Sequence, residues 1–245
     1  DSGIAKYEFS KDDGNTWVDN STENTYTFNN LNNDTYYKID VKVTSNLGKT
    51  GNETSTIKYD VRADDLLFWG SAGNKDNTTS ILKDKSGKGN DGKLNNFNNT
   101  STSGYKGSEL VFDGVDDFVD IGLANYDFKN SISFVIYAKN TNGHLYGNWE
   151  SAGGGILSYN NYFQFELCDG KKYYTTRSSL AYDKTNYYTV IGTYNGSNLK
   201  LYINGELITS AELSNFITSN MPVYIGANPN ANNTAGDYSK MNLKE

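Results

Sequence analysis

The sequence predicts an all-β protein. Its 245 residues include 20 Tyr and 11 Phe but only 2 Pro. Aromatic and β-branched residues favour strands, and turn residues recur here at short intervals. The clearest strand pattern, at residues 36–44, places Tyr37, Ile39 and Val41 on one face and polar residues on the other. Such alternation is typical of an antiparallel sheet with one buried face.

Charge and composition argue against two kinds of partner. The formal net charge is −7 at pH 7, whereas a nucleic-acid-binding protein needs a basic surface. No apolar run approaches the roughly 18 residues of a membrane span, so no membrane insertion is predicted. The single cysteine, Cys168, leaves no internal disulfide. A large bacterial surface module does not need one, unlike a small secreted animal domain.

Residues 1–62 are predicted to form a first domain. Its strand patterns are joined by polar turns and end at the short polar stretch of residues 62–65. Two segments, YEFSKDDGNTW at residues 7–17 and YYKIDVKVTSNLGKT at residues 36–50, resemble the later part of a bacterial immunoglobulin-like or fibronectin type III-like sandwich. About five strands are visible where a full sandwich has about seven, so the resemblance implies a partial domain.

Residues 63–245 are predicted to form a second domain. Its motifs are DKSGKGNDGKL at residues 84–94, LVFDGVDDFVDIG at 110–122, VIGTYNGSNLKLYINGEL at 190–207 and VYIGANP at 223–229. In this order they resemble the concanavalin A-like, laminin G-like jelly roll of bacterial surface proteins and carbohydrate-active enzymes. The resemblance implies two antiparallel sheets packed face to face. It also implies a carbohydrate or protein ligand, often with Ca²⁺ near one rim.

The end of the second domain departs from the family pattern. The family closes with a strand that pairs beside the first one, but residues 239–245 contain no convincing apolar run. We therefore expect the domain to lack its last strand, which would leave an open sheet edge.

Asn204-Gly205 lies between two alternating segments and predicts a hairpin. Two further polar motifs are expected to shape turns. In DKSGKGNDG, Asp84 and Asn90 are predicted to bond the backbone of a tight turn, because no helix or Lys-Ser/Thr pair follows to make a phosphate site. In the second motif, Asp113 is predicted to cap its own turn, with Asp117 and Asp120 facing solvent. The alternative is that this acidic cluster holds Ca²⁺, which takes six to eight oxygen ligands.

The rim loops are the candidate binding site. A tryptophan set among glycines can stack on a sugar ring while amides and carboxylates bond its hydroxyls, although it can equally plug the end of the sandwich. The family resemblance places the loop after residue 225 near the same rim. The expected ligand-binding residues are Tyr146, Asn148, Trp149, Glu150, Asn228 and Asn230, and the expected Ca²⁺ ligands are Asn148, Glu150 and Asn228.

Catalysis is not expected. The chain has one histidine, His144, and Cys168 has no partner histidine at a motif spacing. Retaining glycosidases on the resembling fold carry paired acidic residues on one strand, whereas the FQFE segment offers only Glu166. A remote alternative is a glycoside hydrolase in which Glu150 and Glu166 meet in space.

The sequence thus predicts a non-catalytic module that binds a glycan or a surface protein, with Ca²⁺ as a possible cofactor. We expect it to belong to a larger exported protein, on a cell surface or outside the cell, with other domains as neighbours. The alternative is that both units are structural spacers in the stalk of an adhesin.

Overall fold

The computed structural model describes residues 3–28, 31, 35–59, 66–124, 126–128, 131–149, 152–230 and 234–244, with the backbone alone at 35, 36, 56–59 and 140. The chain divides into two compact units, Asp1–Leu66 and Leu67–Glu245. The domain boundary predicted between residues 62 and 63 falls outside the described residues and stays a prediction. None of the described residues forms a helix long or apolar enough to pass through a lipid bilayer.

The first unit is a four-stranded antiparallel sheet with the order β2-β1-β3-β4. Its strands are β1 (Ile4–Ser10), β2 (Val18–Asp19), β3 (Thr35–Ser45) and β4 (Thr50–Tyr59). The Asp12 carboxylate closes the β1–β2 turn by accepting hydrogen bonds from the Thr16 amide and hydroxyl at 2.8 and 2.6 Å. The backbone of residues 26–28 forms no strand. There the Tyr26 ring stacks on Phe9 instead, at 5.5 Å. The immunoglobulin-like kinship of this unit stays a prediction.

The second unit is a β-sandwich, and its strands are β5 (Ile81–Leu82), β6 (Gly92–Asn95), β7 (Gly104–Lys106), β8 (Glu109–Asp113), β9 (Phe118–Asp120), β10 (Ile132–Gly147), β11 (Gly154–Tyr159), β12 (Tyr162–Cys168), β13 (Tyr173–Arg177), β14 (Tyr188–Tyr194), β15 (Asn198–Ile203), β16 (Glu206–Glu212), β17 (Tyr224–Ile225), β18 (Asn228–Pro229), β19 (Ala235–Gly236) and β20 (Lys240–Leu243).

Two antiparallel sheets share strand β10. We call the first the front sheet; its order is β13-β12-β11-β10-β17-β9-β6-β5. The back sheet has the order β16-β15-β14-β10-β20-β8-β7. The first half of β10 pairs with β14 in the back sheet, and its second half pairs with β11 in the front sheet. Strands β18 and β19 form a separate small hairpin.

The inner faces of the two sheets enclose one apolar core. Because side chains alternate along a strand, Phe163, Phe165 and Leu167 of β12 all point inward and are buried. The 110–122 motif contributes Leu110, Phe112, Val119 and Ile121 to the same core. Phe118 lies on the opposite face of β9, where its ring is 4.8 Å from Tyr224.

The expectation of a missing last strand is wrong. Strand β20 lies between β8 and β10 and pairs with both, with Leu243 opposite Leu110 and Ala138. Met241 and Leu243 are buried, while Asn242 between them is polar. Two apolar residues in so short a segment give a weak sequence pattern. Strand β20 therefore forms because it is buried between two neighbouring strands, and not because its residues have a high strand propensity.

Two turn predictions are confirmed. Asn204 and Gly205, with φ values of 51° and 84°, join β15 to β16 in the two-residue hairpin that an Asn-Gly pair favours. The Asp84 carboxylate accepts hydrogen bonds from the amides of Trp69, Ser86 and Asn90 at 2.8 to 3.0 Å. It therefore holds the glycine-rich segment as a structural turn.

Candidate functional site

The outer face of the front sheet carries a cluster of polar and aromatic side chains. Cross-strand partners point to the same side of a sheet, and the register places Thr175, Glu166, Gly155 and Gly147 in one row across β13, β12, β11 and β10. A neighbouring row holds Arg177, Gln164, Leu157 and His144. Both rows lie on the side of the sheet away from the apolar core.

Trp149 covers the glycine part of this face. A Cβ atom added at Gly147 or Gly155 would come within 2.8 or 2.9 Å of its indole ring. The glycines therefore leave the space that the ring occupies. The side chain is only 3% exposed. Of the two alternatives for Trp149, the structure rules out the exposed stacking ring, because the tryptophan folds back onto the sheet and contributes to the structure of the face.

Glu166 is held by two donors on the same face. The Trp149 Nε1 atom donates to its Oε1 at 2.9 Å, and the Thr175 hydroxyl donates to its Oε2 at 3.2 Å. Burial raises the pKa of Glu166 above the ordinary value, although these two hydrogen bonds act in the opposite direction. The carboxyl group is thus fixed in position and shifted towards its neutral form.

His144 links Trp149 to the more exposed part of the face. Its ring meets the indole edge-on at 4.5 Å, and its Nδ1 lies 3.4 Å from the Tyr159 hydroxyl. The pKa of His144 lies below its ordinary value because the ring is buried. The nearby Asp237 favours the charged ring and opposes this shift. His144 is half-buried, and its packing partners belong to this cluster.

Three further side chains complete the outer face beyond His144. Tyr159 pairs across the strands with Tyr162, and both rings are partly open to solvent. Arg177 is exposed, and its guanidinium carbon lies 4.3 Å from the centre of the Tyr162 ring. We use the term outer-face patch for Tyr159, Tyr162, Gln164, Glu166, Thr175 and Arg177 together.

The structure separates the expected rim residues. The Asn148 side chain is buried and donates to the Met221 carbonyl oxygen at 3.5 Å, just before β17. Asn228 follows β17, and its Nδ2 donates to Asp237 at 3.5 Å. Strand β17 runs antiparallel to β10. The residues before β17 and those after it therefore lie towards opposite ends of β10. Asn148 and Asn228 are therefore not brought into one cation site.

The other expected residues take different positions. Tyr146 points inward and meets Phe134 edge-on at 5.1 Å, and burial raises the pKa of its hydroxyl. Asn230 bonds locally to Thr234 at 3.5 Å. Glu150 lies outside the described residues. Asn228 remains next to the outer face through Asp237, and its buried Oδ1 has no hydrogen-bond partner among the described residues.

The acidic cluster of the 110–122 motif is the alternative calcium site. Carboxylate oxygens of Asp113, Asp116 and Asp117 lie within 4.8 Å of one another. However, Asp113 Oδ1 accepts the Val115 amide, as the turn prediction expected, and Asp117 accepts the Asp113 amide and the Ser103 hydroxyl. These donors use oxygens that a cation needs, so the residues fit a calcium ion only in part.

Asp117 was expected to face solvent, and this is wrong. It is 0% exposed, and burial raises its pKa to about 6, with the charges of Asp113 and Asp116 adding to the shift. The physical reason is that its Oδ1 accepts from the hydroxyl of the buried Ser103 and its Oδ2 from the Asp113 amide of its own turn. Asp117 thus joins the turn after β8 to the segment that holds Ser103.

Sequence reasoning missed most of the outer-face patch. Alternation in β12 already places Tyr162, Gln164 and Glu166 on one face. What alternation does not reveal is which strands lie beside β12, and hence that Arg177 and His144 share its outer face. That information comes only from the pairing register.

The sandwich and its polar outer face define a jelly-roll domain of the lectin-like type. A family model described as the concanavalin A-like lectin/glucanases superfamily matches residues 113–243. The chain belongs to this superfamily. A search of curated protein sequences found no match.

Solved structures with a similar fold are distant. The binding domain of botulinum neurotoxin serotype D is 20% identical, with a TM-score of 0.49, over 74% of this chain and 48% of that one. A Trypanosoma rangeli sialidase mutant gives 14% identity, a TM-score of 0.49 and coverages of 87% and 40%. Mouse laminin alpha1 domains LG4-5 are 14% identical, with a TM-score of 0.42, over 99% of this chain and 76% of that one. The chain spans about half the length of the neurotoxin domain, and these likenesses concern the fold alone.

Proposed function

We propose that the second unit is a non-catalytic carbohydrate-binding module whose ligand lies on the outer-face patch. The observation that carries the proposal is the partly exposed Tyr159 and Tyr162 pair beside Gln164 and the fixed Glu166 carboxyl group. Sugars present apolar C–H faces and rings of hydroxyls, which suit an aromatic surface next to planar hydrogen-bonding groups. Membership of a superfamily that includes lectins supports this proposal.

The proposal gives Trp149 a positioning role instead of a stacking role. The indole fixes Glu166 and packs against His144, so it sets the shape of the face beside Tyr159. Asn228 is retained as a contact at the edge of the patch, because Asp237 joins it to the surroundings of His144. The ligand would then reach from the tyrosines towards the β18–β19 hairpin.

A glycan array followed by titration with the best binder tests this function. We expect Tyr159→Ala to weaken binding by at least about tenfold, which corresponds to ~1.4 kcal/mol. Tyr202→Ala is the matched control, since Tyr202 is a half-buried strand tyrosine on the outer side of the back sheet. Equal affinities of both variants and the wild type would contradict this location. Failure of the folded protein to bind any glycan would favour the structural spacer alternative.

A glycoside hydrolase is the enzyme alternative, and Glu166 is its best candidate acid because its pKa is raised. Such an enzyme needs a second carboxyl group about 5 to 9 Å away. We propose that no turnover occurs. Hydrolysis of a bound oligosaccharide by the wild type, abolished in Glu166→Gln, would contradict this.

The calcium ion expected from the sequence stays a proposal with its own test. Saturation at 100 times Kd would raise the free energy of unfolding by about 2.7 kcal/mol. In a thermal-unfolding titration with Ca²⁺, loss of that rise in Asp116→Asn would assign the ion to the acidic cluster. Loss in Asn228→Ala would assign it to the rim, and no rise in the wild type would end the proposal.

An exported surface location and a place among further domains are also proposed. The acidic, cysteine-poor composition and the family fold support them. Protease treatment of intact cells that produce the tagged full-length protein tests this location. Digestion without cell lysis is the expected result.

A further inference from the structure

Arg177 is a fixed cation on the outer-face patch. Its guanidinium carbon stands 4.3 Å above the Tyr162 ring, and the side chain is exposed. Among the described residues no ion pair involves it, although the chain carries seven more acidic than basic groups. In so acidic a protein, an arginine without an acidic partner is available to an outside anion.

The contact with Tyr162 leaves the N–H groups of the Arg177 guanidinium available. The guanidinium carbon lies over the Tyr162 ring at 4.3 Å, and the N–H groups lie in the guanidinium plane and point away from its edges. This fork matches the two oxygens of a carboxylate, and charge-assisted pairs of this kind are the stronger hydrogen bonds. The tyrosine beneath also holds the side chain in place, so less rotational freedom is lost when an anion binds.

The surroundings of Arg177 restrict the ligand further. Gln164 is its direct cross-strand neighbour and offers an amide, while Tyr159 continues the patch beside Tyr162. A ligand with an anionic group at Arg177 would therefore place hydroxyls beside the Gln164 amide and an apolar ring face on Tyr159. A sugar that bears a carboxylate combines all three features.

We infer that the outer-face patch binds a carboxylate-bearing glycan, with Arg177 receiving the carboxylate. The inference rests on the proposed carbohydrate-binding function and names the class of its ligand. Recognition of the charged group by Arg177 selects acidic glycans over neutral glycans of the same shape.

The test compares charged and neutral forms of the same polymers. Polygalacturonate, alginate and polysialic acid are each titrated beside their methyl-esterified counterparts at about 0.15 M salt, where the Debye length is ~8 Å. We expect at least one polymer to bind about 10-fold or more tightly in its carboxylate form, as one charged hydrogen bond allows. In Arg177→Gln that preference falls to about one, because the carboxylate form loses more affinity than the esterified form. Arg177→Lys keeps the charge without the fork and recovers only part of the preference.

Lys93→Gln is the matched control. Lys93 is an exposed cation on the same outer face, but it lies on β6 at the far side of the sheet. The Lys93→Gln variant removes one positive charge, as Arg177→Gln does, and is expected to leave the preference for the carboxylate form intact. Equal losses in Lys93→Gln and Arg177→Gln would overturn the inference in favour of general electrostatics.

The remaining outcomes separate the inference from the proposed function. Binding of neutral glycans alone, sensitive to Tyr159→Ala, would overturn the inference and leave the function standing. Preference for dextran sulfate over every carboxylated polymer would also overturn it. Absence of binding to all charged and neutral glycans would overturn both. Thermal unfolding of each variant confirms that a lost preference does not reflect a lost fold.

Discussion

The Trp149 indole donates a 2.9 Å hydrogen bond to the Glu166 carboxylate across the outer face of the front sheet. This contact joins the loop after β10 to the middle of β12, over a floor of glycines. It determines which side chains of the proposed site are exposed and which are structural.

Replacing the donor tests this contact. Trp149→Phe keeps an aromatic ring but leaves the half-buried Glu166 with the Thr175 hydroxyl as its side-chain donor. We expect a loss of about 1–3 kcal/mol in the free energy of unfolding, measured by urea denaturation. The double variant with Glu166→Gln provides the control. Its loss should be smaller than the sum of the two single losses, and strict additivity would contradict direct coupling.

The glycine floor gives a second prediction. A Cβ atom at Gly155 would lie 2.1 Å from the Tyr146 carbonyl oxygen, 2.7 Å from Gly147 Cα and 2.9 Å from the indole of Trp149. Because backbone is the nearest obstacle, Gly155→Ala should cost about 1–3 kcal/mol and red-shift the tryptophan emission as the ring is displaced. At Gly73 the nearest contact would be an ordinary 3.4 Å. Gly73→Ala should therefore leave both readouts unchanged, and equal effects in the two variants would count against the crowding argument.

Asp117 makes stability depend on pH. Its pKa of about 6 in the folded protein lies above the ordinary 3.8. Between these two pH values the folded state holds a proton that the unfolded state has lost. Stability from this group is complete below about pH 4 and is lost as pH rises to 6 and above. The shift corresponds to about 3 kcal/mol, and Asp117→Asn removes this dependence.

Urea denaturation at several pH values checks this prediction. The wild type should lose stability relative to Asp117→Asn between about pH 4 and pH 7. Asp120→Asn is the control, because Asp120 is partly exposed and its recorded hydrogen bond is the one it accepts from the local Gly122 amide. A constant difference between wild type and Asp117→Asn over this range would contradict the buried, protonated state.

The closing strand gives a fourth prediction. Met241 is 0% exposed and lies opposite Phe112 in the back sheet. Met241→Ala should cost about 2–5 kcal/mol in the free energy of unfolding. Lys240→Ala alters an exposed residue of the same strand and should cost less than about 0.5 kcal/mol. Similar small effects in both variants would show that the strand is not packed into the core.

The sequence predicts the all-β fold, the Asn204-Gly205 hairpin and the bonds of Asp84 to Ser86 and Asn90 because each depends on residues close by in the chain. Strand β20 and the buried state of Asp117 depend on distant partners, Leu110 and Ser103, that no local pattern reveals. Trp149 shows the same limit within the candidate site. A tryptophan among glycines predicts an exposed ring as readily as a covered one. The difference lies in Gly155 and Glu166, which reach it through strand pairing.

The position of β20 has a consequence for biosynthesis. It lies between β8 and β10, and its Asn242 bonds Glu109 across a separation of 133 residues. While a ribosome is still adding the preceding residues, the back sheet has a gap that only residues 240–243 fill. The sandwich is therefore completed late, after the whole domain has left the ribosomal tunnel. Its folding rate should be set by closure of this long loop, as is typical of β-proteins with distant strand pairs.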